Sequence, residues 1–167
     1  MVRITKVHTG AGDGGKTRLL DGTEVGKEDP RVRLYGTIDE VNSQLGWSGW
    51  NSTGCRASLR DAQLADEAMG RVQQELFDIG GECSCTPGKL PEQMVLIGSD
   101  AGDRLVAEMD SWLEDLEPLE PFIMPTGSPP VATLHVARTV ARRAERDACS
   151  LRETDGDDAV EERSYPI

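Results

Sequence analysis

Apolar residues recur at spacings of three and four in four stretches of the chain, and each stretch predicts a helix. In the first, residues 30 to about 47, Val32, Tyr35, Ile38, Val41 and Leu45 supply the apolar side. Asp29 caps its start, and Pro30 fits the first helical position, where its missing N–H is not needed. In the second, about 59 to 80, Leu64, Ala68, Val72, Leu76 and Ile79 mark the core face, and Gly80-Gly81 is expected to bend or end the helix. A third helix is expected from Ser99 or Asp100 to a point before Pro118, burying Leu105, Met109, Trp112, Leu113 and Leu116. The fourth opens at Ser128-Pro129 and runs to Leu151 without a breaker. Its Leu134, Ala137, Ala141, Ala144, Ala148 and Leu151 form a narrow packing stripe of mostly small residues. Turn signals fill residues 85–98, with Met94 to Ile97 a candidate extended segment. Residues 152–162 read as an acidic loop. The pattern predicts an all-α fold, a bundle of long antiparallel helices forming a single domain over residues 1–167. Residues 1–29, which lack helical periodicity, are its N-terminal arm, and 30–167 the bundle.

Two polar rows interrupt this pattern. On the first helix Asp39, Asn42, Ser43 and Gly46 fall together; on the fourth, His135, Arg138, Arg142 and Glu145 do. A solvated face is the ordinary reading of a basic row. Composition changes the picture, because the chain carries 18 Lys+Arg against 30 Asp+Glu, a formal net charge of -12. Four of its arginines, Arg138, Arg142, Arg143 and Arg146, nevertheless stand within nine residues. Such a concentration in an acidic protein points to a phosphate or carboxylate partner, for which Arg supplies planar, bidentate contacts. The overall charge argues against a nucleic-acid partner. With only four lysines, the surface fits a halophilic source and an ordinary acidic cytosolic protein equally. No apolar run approaches the roughly 20 residues that span a bilayer, and MVRITKVHTG holds no signal-peptide core. A soluble cytoplasmic protein with no membrane partner is the expectation. Cys55, Cys83, Cys85 and Cys149 have neither zinc-knuckle nor redox spacing and read as free thiols, and no metal site is expected of the chain's own residues.

The arm contains Thr9-Gly10-Ala11-Gly12-Asp13-Gly14-Gly15-Lys16-Thr17. Four glycines in nine residues let backbone amides converge on an anion, as phosphate loops do. Gly10 to Thr17 nearly matches the P-loop pattern, although no buried strand precedes it and no helical pattern follows.

Three motifs together are more specific than any one: the Thr9–Thr17 loop; Lys27-Glu28-Asp29-Pro30-Arg31-Val32 leading into Tyr35-Gly36-Thr37-Ile38-Asp39-Glu40-Val41-Asn42-Ser43; and Leu134-His135 through Ala137-Arg138 to Arg142-Arg143-Ala144-Glu145-Arg146. In this order and spacing they closely resemble the trimeric ATP:cob(I)alamin adenosyltransferases over nearly the whole chain. The resemblance implies a five-helix, ferritin-like bundle that forms a homotrimer with active sites at subunit interfaces. It also implies a final helix, carrying an asparagine near the nucleotide, that would follow Ile167 and is missing from this chain. ATP would lie between the N-terminal loop of one subunit and the arginine helix of its neighbour, with Mg²⁺ on the triphosphate and the corrinoid, cobalamin, alongside. By position, Thr9, Gly10, Ala11, Gly12, Thr17 and Lys27 would hold the phosphates, as would Arg142, Arg143, Glu145 and Arg146 of the neighbour. Asp39 and Arg138 would form an intersubunit ion pair, and Phe122 would displace the corrinoid's lower axial base; with Arg142 these are the expected catalytic residues. A reductase that supplies cob(I)alamin and an enzyme that uses adenosylcobalamin are the implied partners. Two other readings stand beside this one: a P-loop-like phosphotransferase using Lys16 and Thr17, and a non-catalytic bundle that carries ATP or a corrinoid.

Overall fold

Asp29 starts the first helix: its carboxylate accepts the Arg31 N–H at 2.8 Å and its carbonyl accepts that of Arg33 at 3.0 Å. The helix it begins, α1, is Pro30–Asn51; α2 is Leu59–Cys83, α3 Ala101–Leu113 and α4 Pro129–Asp155. A computed structural model describes residues 8, 10–51, 59–114, 116–118 and 122–156. Thr9, Cys55 and most of the expected acidic loop, from residue 157 on, lie outside the described residues. α4 begins as its sequence predicts, with Ser128 extended at the cap position (φ -62°, ψ 160°) and Pro129 and Pro130 in the first turn, although the Ser128 side chain does not cap.

Polar bonds set the helix register. Arg31 on α1 reaches Asp155 on α4 at 2.9 Å, Thr37 reaches Asp147 at 2.8 Å, and Glu40 pairs with Arg143. Numbers that rise on one helix as they fall on the other make α1 and α4 antiparallel. α2 runs against α1 in the same way. Arg31 donates to the Cys83 carbonyl at 3.3 Å, and Asn42 exchanges bonds of 3.0 Å with Gln73. The core lies between these three helices and is built from Leu34, Ile38, Val41, Ile79, Val140, Ala144, Ala148 and Leu151. Leu34, Ile38 and Leu151 are almost wholly buried, each contributing about 1.5–3 kcal/mol. The stripe of alanines on α4 lets α1 approach closely, as its spacing predicts.

The structure departs from the sequence expectations in several places. Gly80-Gly81 do not end α2; the helix continues to Cys83, and both glycine carbonyls accept the Ser84 N–H at 3.1 Å. α4 runs four residues past Leu151. Met94 to Ile97 does not pair as a strand, and Ile97 instead donates its N–H to the buried Glu82 carboxylate at 2.7 Å. The largest difference is at α3. Met109, Trp112, Leu113 and Leu116 are exposed rather than buried, as are Leu64 on α2 and Leu134 on α4. Periodicity reports which residues share a face, and among the described residues nothing covers these. α3 is tied on by the ion pairs of Arg71 with Glu108 and of Arg104 with Glu75. Beside it a cavity of about 560 Å³ opens among all four helices. Nor is the described chain purely helical: Lys16–Arg18 (β1) and Glu24–Gly26 (β2) form a two-stranded antiparallel sheet in the arm.

Candidate active site

The arm's local structure follows from its glycines and one aspartate. Asp21 and Gly22 make the turn between the strands: Gly22 has φ +85°, and the Asp21 carboxylate accepts the Thr23 N–H at 2.8 Å. Lys16 then faces Gly26, Thr17 faces Val25 and Arg18 faces Glu24. At the open end, Gly10 and Gly15 take positive φ (+69° and +78°), and tight turns bond Asp13 N–H to the Gly10 carbonyl and Gly15 N–H to the Gly12 carbonyl, both at 3.2 Å. The Lys27 N–H closes on the Gly15 carbonyl at 2.9 Å. Its side chain folds back over Gly12, where an added Cβ would lie 3.1 Å from both Cε and Nζ of Lys27 and 3.3 Å from the Lys16 carbonyl oxygen. Two expected phosphate contacts fifteen positions apart therefore meet, one as bare backbone and one as a cation. Gly10 and Ala11 are exposed beside them and Thr17 is half-buried on β1, whereas Thr9 lies outside the described residues.

This geometry rules against the P-loop reading. A P-loop lysine and threonine open a helix, but Lys16 and Thr17 open a strand, and the Lys16 ammonium binds Glu24 at 2.8 Å on the sheet surface.

The second part of the site is the outer face of α4. Arg138, Arg142, Arg143 and Arg146 are all exposed, opposite the buried Ala137, Ala144 and Ala148. Arg142 pairs with Glu145 one turn on, Arg143 with Glu40, and Arg146 donates to the Arg142 carbonyl at 2.8 Å. Exposed pairs of this kind are worth at most about 1 kcal/mol, so a polyanion can displace them.

Asp39 and Arg138 are not brought together within the chain. Asp39 borders a cavity of about 620 Å³ with Tyr35, Asn42, Phe77 and Met94, while Arg138 borders the other cavity beside Val41 and Leu45. Phe122 is fully exposed beside exposed Ile123, with a left-handed φ of 63°.

Cys83 and Cys85 are free and buried, as the sequence suggested, and Cys149 is free but exposed. Burial pushes the Cys83 thiol up to about 12 and raises that of Cys85 as well, so neither is a ready nucleophile. Among the described residues no three His, Cys, Asp or Glu converge as metal ligands, and no helix is long and apolar enough to cross a membrane.

The sequence profile described as cobalamin adenosyltransferase matches residues 7–165. The corrinoid adenosyltransferase of Mycobacterium tuberculosis is 37% identical over 148 residues, covering 88% of this chain and 73% of that protein. The cobalamin adenosyltransferase of Cupriavidus metallidurans is 36% identical over 156 residues, covering 89% of this chain and 74% of its own length. Among solved structures, a variant PduO-type ATP:corrinoid adenosyltransferase from Lactobacillus reuteri, complexed with cobalamin and ATP, superposes with a TM-score of 0.82 at 27% identity, covering 96% of this chain and 84% of that one.

Proposed function

Because the chain belongs to the cobalamin adenosyltransferase family, we propose that it transfers the 5′-deoxyadenosyl group of ATP to the cobalt of cob(I)alamin, giving adenosylcobalamin and triphosphate. Cob(I)alamin brings its own nucleophile: the cobalt electron pair forms the bond to the ribose 5′-carbon as the carbon–oxygen bond to triphosphate breaks. What remains for the protein is to align the two substrates and to stabilise charge gathering on the leaving group. The observation that carries this reading is the Lys27 ammonium folded over bare Gly12 in a loop of turned amides. Gly10, Ala11, Gly12, Thr17 and Lys27 hold the phosphates from one subunit, with Thr9 beside them. Arg142, Arg143 and Arg146 reach the triphosphate from the neighbour, and Glu145 orients Arg142. Mg²⁺ fits as the triphosphate's own counter-ion, held by phosphate oxygens and water rather than by a protein cage. Asp39 and Arg138 join the subunits of a homotrimer of five-helix bundles, and Phe122 stands where the corrinoid's lower base would bind cobalt. A reductase delivering cob(I)alamin and an enzyme receiving adenosylcobalamin complete the scheme.

An anaerobic assay with ATP, Mg²⁺ and cob(I)alamin tests it. Adenosylcobalamin and triphosphate in equal amounts are the expected products. Binding of either substrate without product would favour the carrier reading, and ADP a phosphotransferase. Arg142→Ala should weaken ATP binding by roughly 1.5–3 kcal/mol, the worth of a charge-assisted contact, whereas Arg104→Ala, whose partner is Glu75 on α2, should leave ATP affinity unchanged. Gly12→Ala should lower ATP affinity about tenfold, since the new methyl displaces the flexible Lys27 end and presses on a fixed backbone oxygen. Isothermal titration with ATP reads both. Equal affinities for Gly12→Ala and the parent would remove Lys27 from the phosphate site.

A further inference from the structure

The hairpin that carries the phosphate loop is too small to hold itself. Two strands of three residues have little stability alone, and the glycines at their open end are costly to order. Order comes from the opposite end, where the turn is docked on the connection between α2 and α3. Leu19 is buried there, Leu20 donates its N–H to the Ser84 carbonyl at 2.9 Å, and Lys89 reaches the Thr23 hydroxyl at 3.3 Å. Asp21 is the centre of this dock. One carboxylate oxygen accepts the Thr23 N–H at 2.8 Å and shapes the turn; the other accepts the Thr86 N–H at 2.9 Å and the Thr86 hydroxyl. These bonds hold the carboxyl well below the usual carboxylate range, so it is ionised in the folded protein.

We propose that Asp21, through Thr86, is a positioning residue for ATP: it pins the far end of the hairpin so that the Gly12–Lys27 loop is already ordered when the triphosphate arrives. The anchor lies at the turn, separated from the loop by the length of the three-residue strands, about 10 Å, and touches no substrate. Its contribution is to lower the ordering cost of nucleotide binding. This inference rests on the reading of the loop as the triphosphate site.

Four variants test it: Asp21→Ala and Thr86→Val, which break the anchor, and Asp21→Asn and Thr86→Ser, which keep acceptor or hydroxyl. The first pair should raise KM for ATP about tenfold, leaving KM for the corrinoid and kcat at saturating ATP within about twofold of the parent. Thr86→Ser should recover most of the loss and Asp21→Asn, left with one acceptor oxygen for two amides, only part of it, and the Asp21→Ala, Thr86→Val double variant should be no worse than Asp21→Ala alone. Hydrogen exchange without nucleotide should show the Leu19 and Lys27 amides, bonded to Thr23 and Gly15 in the parent, opening faster in Asp21→Ala. Unchanged KM for ATP, equal rises in both KM values, or unchanged exchange would overturn the anchor. A parent protein that neither binds ATP nor forms adenosylcobalamin would overturn the functional reading instead. In that event the exchange data would still decide whether Asp21 orders the loop. If Asp21→Ala does not fold, Thr86→Val and Asp21→Asn carry the test, with a KM for ATP equal to the parent's in both and no change in exchange counting against the anchor.

Discussion

Phe122→Ala should turn over on the order of 100-fold more slowly than the parent, the scale on which a misplaced reacting centre loses rate, while binding ATP as tightly and folding as well. The last two expectations follow from the structure. The ring is fully exposed and nothing in the described chain packs on it, so its removal costs no core contact. Its backbone sits at φ 63°, which costs a non-glycine residue about 1 kcal/mol. An exposed aromatic held in an unfavourable conformation just ahead of Ile123 and Met124, themselves exposed, is poor design for a surface loop. It fits a residue whose partner is a substrate. The proposed partner is the corrinoid face from which the lower base must leave. The spectrum of the cob(II)alamin complex reports that base directly: the parent should give the base-off form with ATP present, and Phe122→Ala the base-on form. Base-off cob(II)alamin in the variant would mean that another residue displaces the base.

How far the site could be read from the chain depended on the range of the signal. α1 and α4 were legible because their caps are local and their periods long: Asp29-Pro30 and Ser128-Pro129 open them, and Ala137, Ala144 and Ala148 are buried in the spacing that predicts it. The arginine row stands on the opposite side of α4 for the same reason. The hairpin left almost no trace, since three-residue strands are too short to show alternation; its one cue was Asp21-Gly22, a common turn pair. Without the hairpin, nothing in sequence brings Lys27 to Gly12. The exposure of one face of α3 is not legible in the sequence, because an apolar stripe at Met109, Trp112 and Leu113 is the same whether a neighbour covers it or not. The role assigned to Phe122 came from family resemblance alone, as no local pattern distinguishes it from any other loop aromatic.

Asp39 and Arg138 should show strong energetic coupling, but only in the assembled protein. Within one chain they cannot meet. The register fixed by Thr37 with Asp147 and Glu40 with Arg143 places Arg138 opposite residue 45, about 9 Å along the α1 axis from Asp39 at 1.5 Å per residue. Both are exposed, and they border different cavities. A neighbouring subunit that brings its Arg138 against Asp39 would exclude water from both. Removing one partner then leaves the other uncompensated, at roughly 3–5 kcal/mol in a dry site. Asp39→Asn and Arg138→Ala should each weaken assembly of the proposed trimer and, with it, binding of ATP and corrinoid, since the neighbour completes the proposed site. The double variant should lose less than the sum of the singles. Sedimentation over a range of protein concentrations, with ATP titrations on the same samples, measures the cycle. Coupling in the trimer and none in the dissociated chain is the expected result. Strict additivity in the trimer would mean that the two residues do not face each other, and the proposed active site would lose its link between subunits.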